Sequence, residues 1–527
     1  MITVCLNEAN FEYDIHSLVK AFYPGEDVKV FADRKKIYKL EEQCAPIFRL
    51  EIFYHQGTQD CRDTIEIFLK EENTQGFEQG QQPLAMECEE QGKQLLAKIS
   101  SQDRRGTAAK AQAKIQADFS DRGDTKNRLK RCLYRMLSEY SGRTLPWGTL
   151  TGIRPTKIAM TRLENGQSEA NIHTFMAETY LASEEKINLS IEIARREMEL
   201  LHKIDYQDGY SLYVGIPFCP SICSYCSFSS SPIGLWEDRT DDYLDALEKE
   251  IDFTSQAFRH KKLNAIYIGG GTPTTLSPRQ LHRLLAKIAA SFDFSHLLEY
   301  TVEAGRPDSI TKDKLEVLRE HDVSRISINP QTMKQETLDV IGRRHTVKQT
   351  IESFHLARDL GFDNINMDLI VGLPEETVED VRITMEKVAK LSPDNLTVHS
   401  LALKRAARMK MFPEDYQGMK MENTWEIIAL TAAYARKMGL LPYYLYRQKN
   451  MAGNFENVGY ASPGKAGLYN ILIMEEVQSI VALGAGSISK RVEPGRKIER
   501  CENVKDVAQY IARIDEMIER KHILFLA

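Results

Sequence analysis

From Tyr210 onward, short apolar runs alternate with amphipathic stretches of roughly 12 to 16 residues, and this alternation limits the possible folds more than any other feature of the chain. It is typical of βαβ units, which build parallel sheets through right-handed crossovers. We therefore predict an α/β fold, a partial (β/α)6 barrel whose functional groups lie at the carboxyl ends of the strands. The predicted strands are 213–216, 265–268, 299–303, 325–328, 366–370 and 395–399, and the predicted helices are 241–258, 278–292, 312–321, 347–360 and 378–391.

The length of 527 residues is enough for two or three packing units. We predict an N-terminal α+β region of unassigned role over 1–205 and the barrel over 206–403. A smaller, mostly helical C-terminal unit over 404–527 is predicted to cap the active site.

The regions outside the barrel carry weaker patterns. VKVFAD and FRLEIFYH predict short strands near the N-terminus. Residues 71–131 are predicted to be a connector, with a Gln-rich stretch at 75–82 and a helix-like segment around KAQAKIQADF. After residue 404 we predict helices at 425–437 and 504–519, separated by irregular Gly-rich sequence.

Composition excludes several classes of protein. With 42% hydrophobic and 27% charged residues, the chain is ordinary globular protein and neither disordered nor fibrous. The net charge of −6 provides no global positive field for nucleic acid. Because no apolar run reaches membrane-spanning length and the N-terminus has no secretion-signal pattern, we expect a cytoplasmic protein without a membrane span.

Three of the nine cysteines lie in the sequence YVGIPFCPSICSYCSFSS, directly after the first predicted barrel strand. Their CxxxCxxC spacing brings soft thiolate ligands together, and such ligands select zinc or iron-sulfur clusters. A structural zinc site needs four protein ligands, and no histidine or fourth cysteine lies nearby, whereas a four-iron cluster on three cysteines leaves one iron open. Structural zinc and a cluster of core cysteines remain the alternatives. The three residues are Cys219, Cys223 and Cys226.

This loop and the strand before it resemble the radical S-adenosylmethionine (SAM) superfamily. The motifs IYIGGGTPT, TVEAGRP, RISINPQTM, GRRH and NMDLIVGLP follow in the order of its oxygen-independent coproporphyrinogen III dehydrogenase (oxidase) branch. The segments LPWGTLTGIRPTKIA and NVGYASPGKAGLYNILIMEE are similar to the HemZ-type members, which add an N-terminal region. The resemblance implies a [4Fe-4S] cluster on the three cysteines, with SAM bound at the open iron.

The resemblance also implies which residues contact SAM. Independently of it, glycines after a strand let a ligand approach the backbone, and a carboxylate at a strand end can bind an ammonium or a ribose hydroxyl. An aspartate inside a buried strand also needs a partner. The patterns assign no catalytic residue. The implied SAM contacts are Tyr213, Gly270, Gly271, Thr272, Glu303, Gln331, Arg343 and Asp368.

For the reaction, the resemblance implies a radical oxidoreductase. A 5′-deoxyadenosyl radical abstracts hydrogen from two propionates of coproporphyrinogen III, which lose carbon dioxide and become vinyl groups. An external electron donor and an external acceptor are implied partners. Positive charges at Lys404, Arg405 and Arg408 could dock the propionates or simply start a solvated helix. His345 and His399 face substrate or are hydrogen-bonded core residues.

Two positions depart from the dehydrogenase pattern. Gly215 and Phe228 stand where the dehydrogenases have a histidine and a further cysteine. Phe228 resembles instead the related haem-binding proteins that deliver haem. The alternative functions are therefore a haem chaperone that retains the cluster and a radical SAM enzyme acting on another tetrapyrrole by methyl transfer.

Overall fold

The computed structural model describes residues 1–42, 44–57, 62–71, 84–85, 110–448, 451–493, 495 and 497–526. They form two compact units. The first contains Met1–Ile153 and Asn165–Leu189, and the second contains Arg154–Glu164 and Ser190–Ala527. The predicted ranges 1–205, 206–403 and 404–527 do not coincide with these units, and as functional domains they stay a prediction.

The described strands of the first unit form one mixed sheet in the order β2-β1-β3-β4-β6-β5. Helices α1 and α3 contribute apolar side chains such as Leu18, Phe22 and Leu133 to the core beneath β1 and β3. The strands are β1 (Ile2–Leu6), β2 (Val28–Phe31), β3 (Arg49–His55), β4 (Thr64–Lys70), β5 (Leu84–Ala85) and β6 (Ala111–Gln116). The helices of the first unit are α1 (Glu12–Phe22), α2 (Arg34–Glu41), α3 (Arg122–Ser141) and α5 (Glu169–Tyr180). Helix α4 (Thr156–Glu164) belongs to the second unit. The boundary at Leu189 falls within helix α6 (Glu184–Leu201).

The prediction of a helix around KAQAKIQADF is wrong, because that segment contains the strand β6, which pairs antiparallel with β4. Its side chains alternate: Ala113 and Ile115 are buried, and the residues after each of them are exposed. The buried pair lies opposite Ile67 and Ile65 of β4. The burial of every second side chain against an apolar partner strand therefore outweighs the helix propensity of the alanines and lysines. The Gln-rich stretch 75–82 lies outside the described residues.

The second unit contains one sheet of eleven described strands, in the order β15-β16-β14-β13-β12-β11-β10-β7-β17-β18-β19. Six of them, β7 and β10 to β14, run parallel in sequence order, which confirms the predicted partial radical SAM barrel. These strands are β7 (Gly209–Ile216), β10 (Lys262–Gly270), β11 (Glu299–Glu303), β12 (Arg325–Ser327), β13 (Ile365–Val371) and β14 (Asn395–Ser400); β8 (Phe218–Cys219) and β9 (Ser231–Pro232) form a separate pair.

The predicted crossover helices are also confirmed. Capping boxes at Ser277, Thr346 and Thr377 fix where three of them begin, since each hydroxyl accepts a backbone N–H of the first turn. The helices in and around the barrel are α7 (Thr240–Ala257), α8 (Pro278–Ser291), α9 (Lys312–Glu320), α10 (Gln335–Val340), α11 (Val347–Asp359), α12 (Val378–Leu391) and α13 (Arg408–Met411).

The C-terminal segment contains more regular structure than predicted. Its helices are α14 (Trp425–Lys437), α15 (Leu468–Glu475), α16 (Val507–Ala512) and α17 (Ile514–Leu526), so the single last helix predicted at 504–519 is two helices. The Gly-rich stretch, predicted to be irregular, contains five strands. These are β15 (Leu441–Tyr446), β16 (Asn457–Ala461), β17 (Ser479–Leu483), β18 (Ile488–Arg491) and β19 (Glu499–Glu502).

These C-terminal strands lengthen the barrel sheet at both ends. β16 pairs antiparallel with β14, and β17 pairs parallel with β7 on the side away from β10. The apolar run Ser479–Leu483 is short and lies among glycines, so its sequence alone does not distinguish a strand from a loop. No helix in the described part of the chain is long and apolar enough to cross a membrane.

A buried carboxylate joins the C-terminal helices to β17. Glu250 of α7 accepts hydrogen bonds from Lys521 Nζ at 2.5 Å and from the Tyr510 hydroxyl at 2.5 Å. It also accepts from Asn503 Nδ2 and from the backbone N–H of Gly484, both at 2.8 Å. Lys521 is 1% exposed, so its charge depends on this partner.

Replacing Lys521 by methionine should reduce the free energy of unfolding by about 3–5 kcal/mol, because it leaves a buried carboxylate without its counter-ion. The matched control is Lys348→Met, which removes an exposed partner of Glu352 and should cost less than about 1 kcal/mol. Urea denaturation followed by circular dichroism measures both. Equal losses in the two variants would contradict a supporting role for the buried pair.

Candidate functional site

The loop after β7 carries the first cysteine at the carboxyl edge of the barrel. Cys219 ends β8, three residues after the end of β7. Gly271 donates its N–H to Ile216 O at 2.8 Å, and Thr272 donates to Phe218 O at 2.7 Å. The end of β10 therefore holds the start of the cysteine loop in place through backbone hydrogen bonds.

The other two cysteines lie on a turn further along the same loop. Cys223 is buried and Cys226 is half-buried, and the Cys226 N–H donates to Cys223 O at 3.1 Å. Ser224 between them is anchored on two sides, because its N–H donates to Ile341 O and its carbonyl accepts from Met409 N–H, both at 2.9 Å. Backbone contacts thus hold the turn and leave the thiols available.

The electrostatic surroundings of the thiols fit a metal cluster. Burial, together with the neighbouring Cys223 and Cys219, raises the pKa of Cys226 to about 11. Burial also raises the pKa of Cys219. The thiols therefore lie within electrostatic range of one another, and the positive charge of an iron centre would stabilise the thiolates and offset their mutual repulsion. Among the described residues no three His, Cys, Asp or Glu side chains are already arranged as a metal site.

Glycines at the end of β10 allow its backbone to pack closely against the first cysteine. Gly270 has φ of +109°, a conformation that favours glycine. A Cβ on Gly271 would lie 2.5 Å from Phe218 O and 3.0 Å from Cys219 Sγ, so no larger residue fits there. Thr272 Oγ1 donates to Cys219 Sγ at 3.6 Å. The second strand end therefore offers backbone and a hydroxyl directly beside the cysteine.

Two carboxylates with opposite pKa shifts lie further along the same edge. Burial and the nearby charge of Asp368 together raise the pKa of Glu303 to about 7, against the lowering effect of a hydrogen bond from the Tyr267 hydroxyl. Burial on its own would also raise the pKa of Asp368, but the nearby His399 and a hydrogen bond from Asn366 Nδ2 at 2.7 Å hold that pKa below its usual range. The aspartate thus has the partners that its buried strand position requires.

Three tyrosine rings stack beside Glu303. The ring centroids of Tyr213 and Tyr267 are 6.3 Å apart, and those of Tyr267 and Tyr469 are 4.6 Å apart. Tyr469 comes from α15, far along the chain from the other two. The rings supply flat apolar surface next to a carboxylate, which suits a ligand with both a planar group and a positive charge.

Gln331 and Arg343 each leave a buried polar atom without a hydrogen-bond partner. Gln331 has φ of +67° and donates its N–H to Asp368 O at 3.0 Å, while its Oε1 has no partner. Arg343 Nη1 donates to Asn329 O at 2.7 Å, while its Nε has no partner. Since buried polar atoms are normally satisfied, these two atoms indicate that a polar ligand belongs here.

The structure brings the predicted residues to one edge of the sheet. Tyr213 and Asp368 lie within β7 and β13, Arg343 follows the helix α10, and the others lie at or beyond the carboxyl ends of β7, β10, β11 and β12. Their roles as ligands of a cluster and of SAM stay a prediction. The set comprises Cys219, Cys223 and Cys226 with Tyr213, Gly270, Gly271, Thr272, Glu303, Gln331, Arg343 and Asp368.

Other predicted candidates lie around this edge. Lys404 and Arg405, just beyond β14, are exposed, and Arg408 pairs with Asp415 at 3.0 Å. His399 lies 3.9 Å from Asp368, measured from Nε2 to Oδ2. His345 is fully buried and neither of its ring nitrogens has a hydrogen-bond partner, so its role as substrate contact or core residue stays open to test.

Sequence reasoning missed two residues of the site. Tyr469 lies in the motif NVGYASPGKAGLYNILIMEE, and Arg306 lies in TVEAGRP, where its side chain reaches Cys223 Sγ at 3.6 Å. Both motifs had been singled out, so the signal was present. It could not be used, because only the fold brings these positions to the loop and the strand ends.

The two HemZ-type segments also contact one another. Arg154, from LPWGTLTGIRPTKIA, donates to Glu476 Oε2 at 3.0 Å and to the carbonyl of Met474. Both acceptors lie at the end of NVGYASPGKAGLYNILIMEE. Tyr469 belongs to that same segment, so this ion pair supports the helix that carries the third tyrosine of the site.

Comparison with known proteins agrees with this geometry. Residues 213–388 match the Radical SAM superfamily model. The oxygen-independent coproporphyrinogen-III oxidase-like protein HemZ of Bacillus subtilis is 42% identical over 401 residues, which cover 75% of this chain and 80% of the relative. The heme chaperone HemW of Lactococcus lactis is 33% identical over 290 residues, 53% of this chain and 69% of that protein.

Among solved structures, coproporphyrinogen III oxidase (HemN) from Escherichia coli is similar, with a TM-score of 0.48 and 25% identity over 61% of this chain and 73% of that one. The extent of the match to the Bacillus protein is what defines the family. The chain belongs to the radical SAM superfamily, in the family of the oxygen-independent coproporphyrinogen-III oxidase-like protein HemZ.

Proposed function

We propose that this radical SAM oxidoreductase decarboxylates coproporphyrinogen III to protoporphyrinogen IX without oxygen, in haem biosynthesis. The observation that carries the proposal is the cysteine loop at the carboxyl edge of the barrel, in a chain 42% identical to an oxygen-independent coproporphyrinogen-III oxidase-like protein over three quarters of its length. Related proteins named as coproporphyrinogen III oxidases support the same substrate.

Members of the superfamily use a [4Fe-4S] cluster and SAM. We assign the cluster to Cys219, Cys223 and Cys226. When bound, the two cofactors supply a one-electron cleavage of SAM that yields a 5′-deoxyadenosyl radical. The protein binds and orients the reactants around this chemistry and excludes competing reactions.

The SAM contacts divide by chemistry. We assign the Gly270–Thr272 segment to the methionine part, because its backbone and the Thr272 hydroxyl lie directly beside Cys219. We assign Glu303 to the amino group of SAM, whose N–H can donate a charge-assisted hydrogen bond to the carboxylate. Gln331 Oε1 and Arg343 Nε provide an acceptor and a donor for the remaining polar groups of SAM.

Electron balance requires two partners. Conversion of each propionate to a vinyl group releases one carbon dioxide, one proton and two electrons. One of these electrons would leave together with the proton, as a hydrogen atom. The second electron must go to an external acceptor, while an external donor supplies the electron that cleaves each SAM.

An exposed segment beside the cysteine loop supports a tetrapyrrole substrate. Lys404, Arg405 and Lys410 are exposed cations, and Met411 and Phe412 are exposed apolar residues. The Met409 N–H, between them, is the group that bonds the cysteine loop. A tetrapyrrole has an apolar ring and anionic propionates, so both halves of this surface suit it.

A haem chaperone is the second candidate. Phe228, two residues after the third cysteine, is 71% exposed. Its apolar ring cannot act as an iron ligand, but it can pack against a porphyrin bound beside the loop. The 33% identity to the HemW heme chaperone of Lactococcus lactis supports the same reading. Turnover separates the two candidates.

Anaerobically reconstituted, reduced protein should convert coproporphyrinogen III to protoporphyrinogen IX when SAM and an electron acceptor are present. Liquid chromatography of the oxidised porphyrins measures the product. Cys223→Ala should abolish turnover, because two thiolates do not hold the cluster. The matched control Cys501→Ala, outside the loop, should retain turnover within about twofold. Wild-type protein that holds four irons and cleaves SAM but forms no product, while binding haem stoichiometrically, would favour the chaperone.

SAM affinity should rise with pH through the titration of Glu303. Its pKa is raised to about 7, so at pH 6 most of the carboxyl is protonated and cannot accept as a carboxylate from the amino group of SAM. Between pH 6.0 and 7.5 the ionised fraction, and with it the affinity, should grow roughly five- to tenfold. Isothermal titration calorimetry on the oxidised, cluster-loaded protein measures the dissociation constant.

The control for this pH dependence is Glu303→Gln, which keeps the shape and removes the titration. It should bind SAM more weakly and vary less than about twofold over the same range. An equally steep pH dependence in this variant would show that the titrating group is not Glu303.

A further inference from the structure

Arg306 lies beneath the cysteine loop and is 3% exposed. It follows β11 in the motif TVEAGRP. Its Nε and Nη2 donate to the two carboxylate oxygens of Asp308 at 2.9 and 2.7 Å. This bidentate pair compensates a charge that burial would otherwise disfavour.

The remaining donors of Arg306 point to the loop. Nη1 donates to Ser221 O at 3.1 Å and to Cys223 Sγ at 3.6 Å, and Nη2 donates to Ser221 Oγ at 3.1 Å. A guanidinium has five N–H groups, and these contacts with the two to Asp308 give each of them one acceptor. One arginine therefore both fixes the loop backbone and contacts a sulfur.

We propose that Arg306 is a positioning residue that raises the reduction potential of the iron-sulfur cluster through its charge and its hydrogen bond to Cys223 Sγ. The inference rests on the proposed function only in assuming that the three cysteines hold the cluster. It does not depend on which tetrapyrrole, if any, is the substrate.

The physical reason is that reduction adds a negative charge to a cluster that thiolates already make anionic. A buried cation next to one of these sulfurs stabilises the reduced form more than the oxidised form, which makes the cluster easier to reduce. Hydrogen bonds to ligand sulfurs act in the same direction. Water screens this effect little, because Arg306 is buried.

Asp308 gives the proposal a second, opposite consequence. Its carboxylate lies against the guanidinium and offsets part of the positive charge that the cluster experiences. Asp308→Asn leaves the bonds from Arg306 to Ser221 and Cys223 available but removes the negative charge. The cluster in this variant should therefore be easier to reduce than in the wild type, whereas Arg306→Gln should make it harder to reduce.

The experiment is a redox titration of the full-length, anaerobically reconstituted chain with dithionite and mediators, without SAM or tetrapyrrole. Electron paramagnetic resonance follows the reduced cluster, and iron and sulfide analysis verifies its assembly. At a fixed solution potential, Arg306→Gln should lower the ratio of reduced to oxidised cluster at least tenfold, which is about 59 mV for a one-electron couple. Asp308→Asn should raise this ratio severalfold. The matched control Arg344→Gln, an exposed neighbour of Arg343, should change it less than twofold.

A full iron content with an unchanged ratio in Arg306→Gln would overturn the proposal. If that variant does not hold iron, Asp308→Asn decides, since a ratio that stays constant or falls there also contradicts it. Arg306→Lys keeps the positive charge but loses the planar guanidinium and its set of N–H donors. Its ratio of reduced to oxidised cluster should therefore lie between those of the wild type and Arg306→Gln. A wild-type chain without iron would instead contradict the cluster assignment itself.

Discussion

The account depends on the parallel pairing of β7 with β10. Two backbone hydrogen bonds beyond the paired strands, from Gly271 to Ile216 and from Thr272 to Phe218, place the glycine turn against the start of the cysteine loop. Because these contacts involve only backbone, the loop can start in the same place whatever its thiols bind. The side-chain-free surface beside Cys219 then follows from sterics, since a Cβ on Gly271 would meet Phe218 O.

The C-terminal segment supports this same pair of strands from the other side. β17 pairs with β7, and the turn after it is held by Glu250 through Gly484 N–H. Tyr243 donates to Gly215 O at 2.6 Å and accepts from Ala485 N–H at 3.1 Å, which ties the end of β7 to that turn. Residues far apart in sequence thus determine where the cysteine loop begins. The buried carboxylate of Glu250 therefore matters to the site, because it holds the turn that is tied to the end of β7.

Much of the barrel follows from the sequence, because six β-rich runs and their amphipathic partners each carry a local period. The site edge follows as well, since the carboxyl ends of parallel strands lie together. What local patterns do not contain is pairing between distant segments. β6 was predicted as helix because alanine and lysine favour helices, and its pairing with β4 decided otherwise. Tyr469 and Arg306 join the site only through the fold, and Asp368 could be assigned a need for partners but not the partners themselves.

The most direct measurement is an anaerobic crystal structure of the reconstituted chain with SAM, using anomalous scattering at the iron edge. The account predicts four irons in one cluster, with three of them bonded to the sulfurs of Cys219, Cys223 and Cys226. The fourth iron should carry no protein ligand and should contact the amino and carboxylate groups of SAM. A single metal ion closed by a fourth protein ligand, or irons bound away from these three sulfurs, would contradict it.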